Sequence, residues 1–247
     1  MQQSSNHPAL KQLDHRPWPL PKKRPLLSQI WQNLVFVHWE VSFEQIRAAV
    51  PQPLEIDTYD GKPWIAVVPF DMKKVTFKGI PPVAALSDFP EINVRTYVKY
   101  EGKPGVWFFS LDVPSKLSAW IARTFFHLPY RYARVQVIEK DDIIHYQHSM
   151  ETAAFTANYK PAQPFSKGVS SFEVWATERY CLYCKSKKGH LYRTEVQHQE
   201  WPLQQAEIDI QTNTLLKGWD LGLQHPSVLF SKHIDVLAYA PERLMDC

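Results

Sequence analysis

Twenty prolines are spread through 247 residues that contain only eight glycines. A proline interrupts the ladder of a helix interior but sits well at strand starts, sheet edges and turns. The chain is therefore read as mainly β. Short runs rich in β-branched and aromatic residues recur at 34–39, 64–70, 91–98, 106–112, 134–139, 144–150, 153–159, 172–183, 191–198, 206–210 and 232–240. Asp60-Gly61 is a strong turn signal, expected to join 54–59 to 64–70 as a hairpin. A short helix is expected after Ser42, with Gln45 as its capping-box partner, and a second behind Pro114, running to about His127. A short helical piece is read over 214–219. Roughly ten closely spaced strands with one or two peripheral helices predict an α+β fold built on a closed or nearly closed antiparallel β-barrel. Barrels of this kind can enclose a ligand cavity.

Residues 1–27 read as a proline-rich arm, and 28–247 as a single domain without repeat or low-complexity linker. The arm holds Lys11, Arg16, Lys22, Lys23 and Arg24 against Asp14, or +4, which leaves −1 for the remainder of a chain whose net charge is +3. The near-neutral remainder offers no basic face for a nucleic-acid backbone. No run approaches the roughly 20 apolar residues that span a bilayer, and no signal-peptide core follows Met1. A cytoplasmic protein is expected, with no membrane and no nucleic-acid partner; a homo-oligomer is left open. Cys181, Cys184 and Cys247 make no disulfide framework. Cys181-Leu182-Tyr183-Cys184 has no second CxxC and sits in a strand-like run, so two partly buried thiols are preferred over a redox or metal site. There is no GxSxG, P-loop, GxGxxG or HExxH, and no cofactor or metal is predicted.

The chemistry concentrates in Glu91-Ile92-Asn93-Val94-Arg95-Thr96-Tyr97-Val98. Side chains alternate across a strand, so Glu91, Asn93, Arg95 and Tyr97 share one face. A loop of four residues, pairing Tyr100 with Gly105, places Arg95 opposite Ser110 and Asn93 opposite Asp112. Facing water, the row is an ordinary half-exposed strand; facing inward, it is a site. An inward Arg95 needs a carboxylate, from Glu91, Asp112 or a ligand, because an isolated buried charge is costly. Glu178 and Arg179 are neighbours in an otherwise apolar run, and one of them belongs to a site. Glu178 is the choice, since carboxylates commonly serve as general acids or bases. His38 lies in an apolar strand, as a satisfied core histidine or a site residue. Lys116 is a surface lysine or an amine made nucleophilic by a pocket.

His38-Trp39, Asp60-Gly61 with Trp64 and Val67-Val68-Pro69-Phe70, the stretch Phe89 to Val98, Gly105 to Asp112, Thr177-Glu178-Arg179-Tyr180 and Trp201-Pro202-Leu203 together resemble the YqjF-like family of uncharacterised bacterial proteins. That resemblance runs from about Trp31 to Trp219 and implies the fold of acetoacetate decarboxylase, a β-barrel or cone with an interior pocket. The decarboxylase carries its Schiff-base lysine in Pro-Lys-Lys-Leu. The similar stretch here is Pro114-Ser115-Lys116-Leu117, with Ser115 where the nucleophilic lysine stands and Lys116 matching only the second lysine. Three functions are weighed. A pocket protein binds a carboxylate- or oxo-bearing metabolite through Arg95, Asn93, Asp112, Tyr97 and His38. A lyase-type enzyme acts on such a metabolite without the usual imine, using Glu91, Glu178 or Lys116. A structural or interaction protein makes contact through its basic arm.

Overall fold

The computed structural model describes residues 6–79, 87–165, 168–222 and 225–246. Cys247 and most of the segment Gly79 to Pro82 lie outside the described residues. Among the described residues, fourteen strands and three α-helices follow one another. Strand β1 (Leu27–Glu40) leads into helix α1 (Phe43–Ala49), which the Ser42 hydroxyl caps by accepting from the Gln45 backbone N–H; the Gln45 side chain, expected to complete a capping box, donates to the Gly218 carbonyl and accepts from the Asp220 backbone N–H instead. Next come β2 (Glu55–Ile56), β3 (Trp64–Phe77), β4 (Phe89–Tyr100), β5 (Lys103–Val113) and helix α2 (Lys116–Phe125). Strands β6 (Tyr130–Tyr132), β7 (Arg134–Lys140), β8 (Ile143–Ser149) and β9 (Ala154–Pro161) precede helix α3 (Ser171–Thr177). The chain ends with β10 (Cys181–Lys185), β11 (His190–His198), β12 (Leu203–Asn213), β13 (Ser227–Ala238) and β14 (Glu242–Asp246).

Seven strands close into a barrel in the order β11, β10, β5, β4, β3, β1, β13, and the β11–β13 pairing completes the ring. Its neighbours are antiparallel except at one seam, where β10 runs parallel to β5 through Leu182–Val106 and Tyr183–Trp107. At this seam the backbones approach closely: a Cβ on Gly105 would stand 2.4 Å from the Cys181 carbonyl oxygen. From β13 the sheet continues through β12, β9, β8 and β7 and wraps the outside of the barrel. There Ile144, Tyr146, Phe155 and Tyr159 share one core with Val35, Val67, Ile92 and Val94. A second core, with Phe36, Val68, Phe70, Met72 and Trp201, fills the barrel. Strand β4 is thus covered on both faces, and every residue from Glu91 to Val98 is buried.

Four local expectations are corrected. The turn at Asp60-Gly61 forms, with both residues at positive φ (50° and 74°), but β2 pairs with β4 rather than with β3. The β4–β5 connection is a two-residue turn, Glu101-Gly102, with φ of 50° and 72°. The run 172–183 is not one strand: Ser170 and Glu173 form a reciprocal capping box that starts α3. Residues 214–219 make hydrogen-bonded turns rather than a helix.

The segment before β1 lies along the outer side of β11. Arg16 is buried there, with Nη2 2.6 Å from Glu195 Oε2 and Nη1 donating to the Val196 carbonyl at 2.7 Å. Trp18 Nε1 donates to the same Glu195 oxygen at 2.9 Å, and the Ala9 carbonyl accepts from Gln197. No helix among the described residues is long and apolar enough to cross a membrane.

Candidate functional site

The side-chain row on β4 faces the inside of the barrel. Two features of the ladder decide which residues join it. Next to the tight turn, Arg95 stands opposite Phe108; one step further, Val94 stands opposite Ser110. Phe109 is the extra residue of a β-bulge, and it reverses the faces of all that follow on β5. Leu111 consequently joins Asn93 on the inner side, while Asp112 pairs with Ile92 on the outer side. The expected pairings of Arg95 with Ser110 and of Asn93 with Asp112 are therefore replaced.

Asp112 sits between barrel and outer sheet, not in the interior. Its carboxylate takes two hydrogen bonds from Arg131, at 2.6 and 2.7 Å, and lies 2.9 Å from His148 Nε2. Burial works to raise its pKa, but the hydrogen bonds from His148 and Arg131 outweigh it and hold the pKa below its ordinary value.

Inside the barrel, Glu91, Asn93 and Arg95 line a cavity of about 130 Å³. Most of the wall is apolar, including Val68, Phe70, Phe108, Leu111, Trp31 and Trp201. Tyr130, Thr177, Arg179, Thr194 and His198 supply further polar groups. Helix α2 closes one side with Ser118, Ile121 and Ala122, which recur at helical spacing.

The two cationic residues of the wall differ. Arg179 is buried, but its Nη1 lies 2.5 Å from Asp57 Oδ2, and Asp57 also meets Lys99 at 2.6 Å. Arg95 is only 8% exposed, and among the described residues no carboxylate lies within ion-pair distance of it. Its guanidinium rests over Phe36 at 5.0 Å and near Tyr97 at 5.8 Å, and its Nε has no hydrogen-bond partner.

Glu91 accepts a hydrogen bond of 2.7 Å from the Tyr130 hydroxyl. Burial pushes its pKa up to about 7, against the opposing hydrogen bonds of Tyr130 and Asn93. Asn93 keeps its Oδ1 without a partner. At neutral pH, Glu91 is poised to give or take a proton beside the cavity.

His38 and Tyr97 adjoin this wall but do not line the cavity. His38 is fully buried, with Nε2 2.7 Å from the Tyr97 hydroxyl. Burial, reinforced by the charge of Arg95, lowers its pKa to about 3, so the ring is neutral. Burial likewise raises the Tyr97 pKa, which keeps it a phenol. The pair forms an uncharged floor beneath the two arginines.

Glu178 and Lys116 stand apart from the cavity. Glu178 caps the end of α3, accepts from the Tyr180 hydroxyl, and binds the Trp201 amide at 3.0 Å. It braces the loop that turns Trp201 into the barrel. Lys116 is exposed, with its Nζ 5.2 Å from the Tyr132 ring. Ser115 is the N-cap of α2, and its Oγ accepts from the Ser118 amide at 3.1 Å and from the Ser118 hydroxyl. No lysine is among the described residues lining the cavity.

Tyr130, Thr194 and Trp201 are not among the site candidates that the sequence offers. Arg179 has a usable signal, the Glu178-Arg179 pair, from which the sequence favours Glu178; of the two, Arg179 lines the cavity. Tyr130 reaches the wall from the first position of the three-residue strand β6 and Trp201 from the irregular segment before β12, both too short for a periodicity to mark them. Cys181 and Cys184 are both buried and reduced, and burial raises each pKa to about 12. Among the described residues no three His, Cys, Asp or Glu side chains are placed to share a metal ion.

A family described as an uncharacterized conserved protein, DUF2071, matches residues 28–235. The uncharacterized protein YqjF of Bacillus subtilis (strain 168) is 40% identical over 218 residues, covering 86% of this chain and 90% of the relative. Among solved structures, the acetoacetate decarboxylase of Legionella pneumophila aligns with a TM-score of 0.66 at 13% identity, covering 94% of each chain. The enduracididine biosynthesis enzyme MppR, in its complex with pyruvate, aligns with a TM-score of 0.65 at 12% identity, covering 91% of this chain and 93% of the enzyme. At these identities the structural likeness establishes the acetoacetate-decarboxylase-like barrel and nothing finer.

Proposed function

The chain belongs to the DUF2071 family, and on that premise we propose that its barrel binds a small carboxylate bearing an oxo or hydroxyl group. The observation that carries this reading is Arg95. A buried guanidinium without a carboxylate costs several kcal/mol, on the order of the penalty for any unpaired buried ion. A ligand carboxylate would supply the missing charge in a geometry that guanidinium groups favour. The ligand's second oxygen would meet Glu91, protonated below about pH 7, and the unpaired Oδ1 of Asn93 would accept from a hydroxyl. The cavity volume of about 130 Å³ suits a compact acid, being close to the roughly 150 Å³ that holds one benzene. MppR, a structural neighbour, is complexed with pyruvate, an acid of this class.

The test is calorimetric titration of the full chain with pyruvate and benzoate beside their neutral counterparts, pyruvamide and benzyl alcohol. The acids are expected to bind at least tenfold tighter than the neutral molecules, and Arg95→Gln is expected to erase that preference. Equal binding of acids and neutral molecules, or a preference that survives in Arg95→Gln, would reject the reading.

Glu91 favours a second reading, a lyase-type enzyme that moves protons without an imine lysine. Its pKa of about 7 matches a general acid or base working near neutrality. Following any bound acid by proton NMR separates the two. Substrate-proton exchange or product formation that disappears in Glu91→Gln supports turnover, and an unchanged ligand after prolonged incubation supports binding alone.

A further inference from the structure

A second concavity, a solvent-facing groove of about 1090 Å³, lies on the other side of the cavity wall. Phe108 and Leu128 line both spaces. Helix α2 divides them as well: Ser118, Ile121 and Ala122 face the cavity, and Trp120, Arg123 and Thr124 face the groove. The Phe108 side chain is also the cross-strand neighbour of Arg95. A molecule passing from the groove between Phe108 and Leu128 would therefore emerge beside the unpaired guanidinium.

Among the described residues, the charge of the groove has one sign. Its described lining includes Arg123, Lys185, Lys187 and Lys188, and holds no Asp or Glu. The three lysines are exposed at the end of β10 and in the turn that follows. Like charges gathered in a concave surface raise the local concentration of a counter-ion and speed its association. Leu128 reaches the shared wall because His127, at φ 57°, ends α2 and turns the chain inward. Phe108 and Leu128, two apolar side chains without a hydrogen bond between them, belong to the wall that both spaces share. Apolar side chains of this kind change rotamer far faster than a strand can open.

The geometry points to the groove as the vestibule of the cavity: it gathers small carboxylate anions on Lys185, Lys187 and Lys188 and passes them between Phe108 and Leu128 to Arg95. This rests on the carboxylate reading of the cavity, but the passage itself does not depend on the ligand's charge.

Stopped-flow tryptophan fluorescence on the full chain tests it, because Trp31 and Trp201 line the cavity and report its occupation. The probes are benzoate and neutral benzyl alcohol. In the triple variant Lys185→Gln, Lys187→Gln, Lys188→Gln, the benzoate association rate is expected to fall about fivefold at low salt. Its salt dependence is expected to flatten, with dissociation and the benzyl alcohol rates unchanged. In Phe108→Ala, or Leu128→Ala should the former not fold, both probes are expected to enter and leave faster. Unchanged benzoate association and salt slope in the triple variant would overturn the vestibule. If benzoate does not bind while benzyl alcohol does, the carboxylate reading fails. Faster benzyl alcohol exchange in Phe108→Ala would then still support the passage, and unchanged exchange would overturn it.

Discussion

Asp57 holds Arg179 with a 2.5 Å contact between carboxylate and guanidinium, and nothing among the described residues does the same for Arg95. Both cations belong to one wall, yet only one is neutralised by the fold. This asymmetry separates the arginine paired within the fold from the one proposed to meet a ligand, and it leads to opposite expectations for two substitutions.

Asp57→Asn removes the partner of a buried cation while leaving its shape in place. Truncating one side of a buried pair costs about 3–5 kcal/mol, because the remaining charge stays buried. Urea unfolding should therefore show a lower midpoint with an unchanged slope. Lys99, which shares Asp57 and is partly exposed, is expected to contribute far less: Lys99→Gln should cost about 0–1 kcal/mol.

Arg95→Met should act the other way on stability. A side chain of similar length without charge removes the desolvation cost, and such replacements are neutral or stabilising by about 1–4 kcal/mol. The unliganded protein should unfold at equal or higher urea concentration, and binding of pyruvate or benzoate should be lost. A midpoint lowered by more than the experimental error would show that Arg95 is compensated within the fold.

Glu91 makes stability depend on pH. Its folded pKa of about 7 lies above the ordinary 4.5, so the native state retains a proton that the unfolded chain has released between those values. The contribution is full below pH 4.5, is given up as pH rises, and is gone once pH has passed through 7. The total is about 3 kcal/mol, at 1.36 kcal/mol per pKa unit. Unfolding free energies measured from pH 4.5 to 8 should fall along this course in the wild type, and Glu91→Gln should lose that part of the decline.

Gly105→Ala tests the parallel seam. The added methyl would meet the Cys181 carbonyl at 2.4 Å, the Cys181 Cβ at 2.7 Å and the Tyr183 ring at 2.7 Å, so strands β5 and β10 must move apart. Overpacking of this sort costs about 1–3 kcal/mol. Thermal unfolding should occur at lower temperature, and the normally buried Cys181 should react faster with a thiol reagent than in the wild type.

The barrel class was readable because prolines and short β-rich runs limit the alternatives, and the row from Glu91 to Tyr97 was readable because strand alternation is strict. What failed to show was an offset. The bulge at Phe109 inserts a single residue that carries no compositional mark, and it alone sends Asp112 to the outer sheet. Helix α3 shows a different conflict. Phe172, Val174 and Trp175 suit a strand by propensity, but Ser170 and Glu173 satisfy a helix start, and the local hydrogen bonds prevailed. Glu178 and Arg179 were weighed on strand faces for that reason. They actually follow a helix end, where Glu178 binds the Trp201 amide and Arg179 enters the cavity wall. Tyr130 arrives from the three-residue strand β6 and Trp201 from an irregular segment, and only the assembled fold brings them to the site.

Strand β13 bonds to β1, β11 and β12, with Ala238 matched to both Leu27 and Val196. During synthesis the first barrel strand, complete at Glu40, must therefore wait until Ser227 to Ala238 have been made before its second neighbour exists. Until that strand has left the ribosome there is no enclosed interior, and Arg95 has no apolar chamber around it. The small acid proposed for the cavity would then have no template role on the nascent chain and would select only the finished barrel. The cost of the unpaired guanidinium falls at the last stage of assembly, when the ring closes.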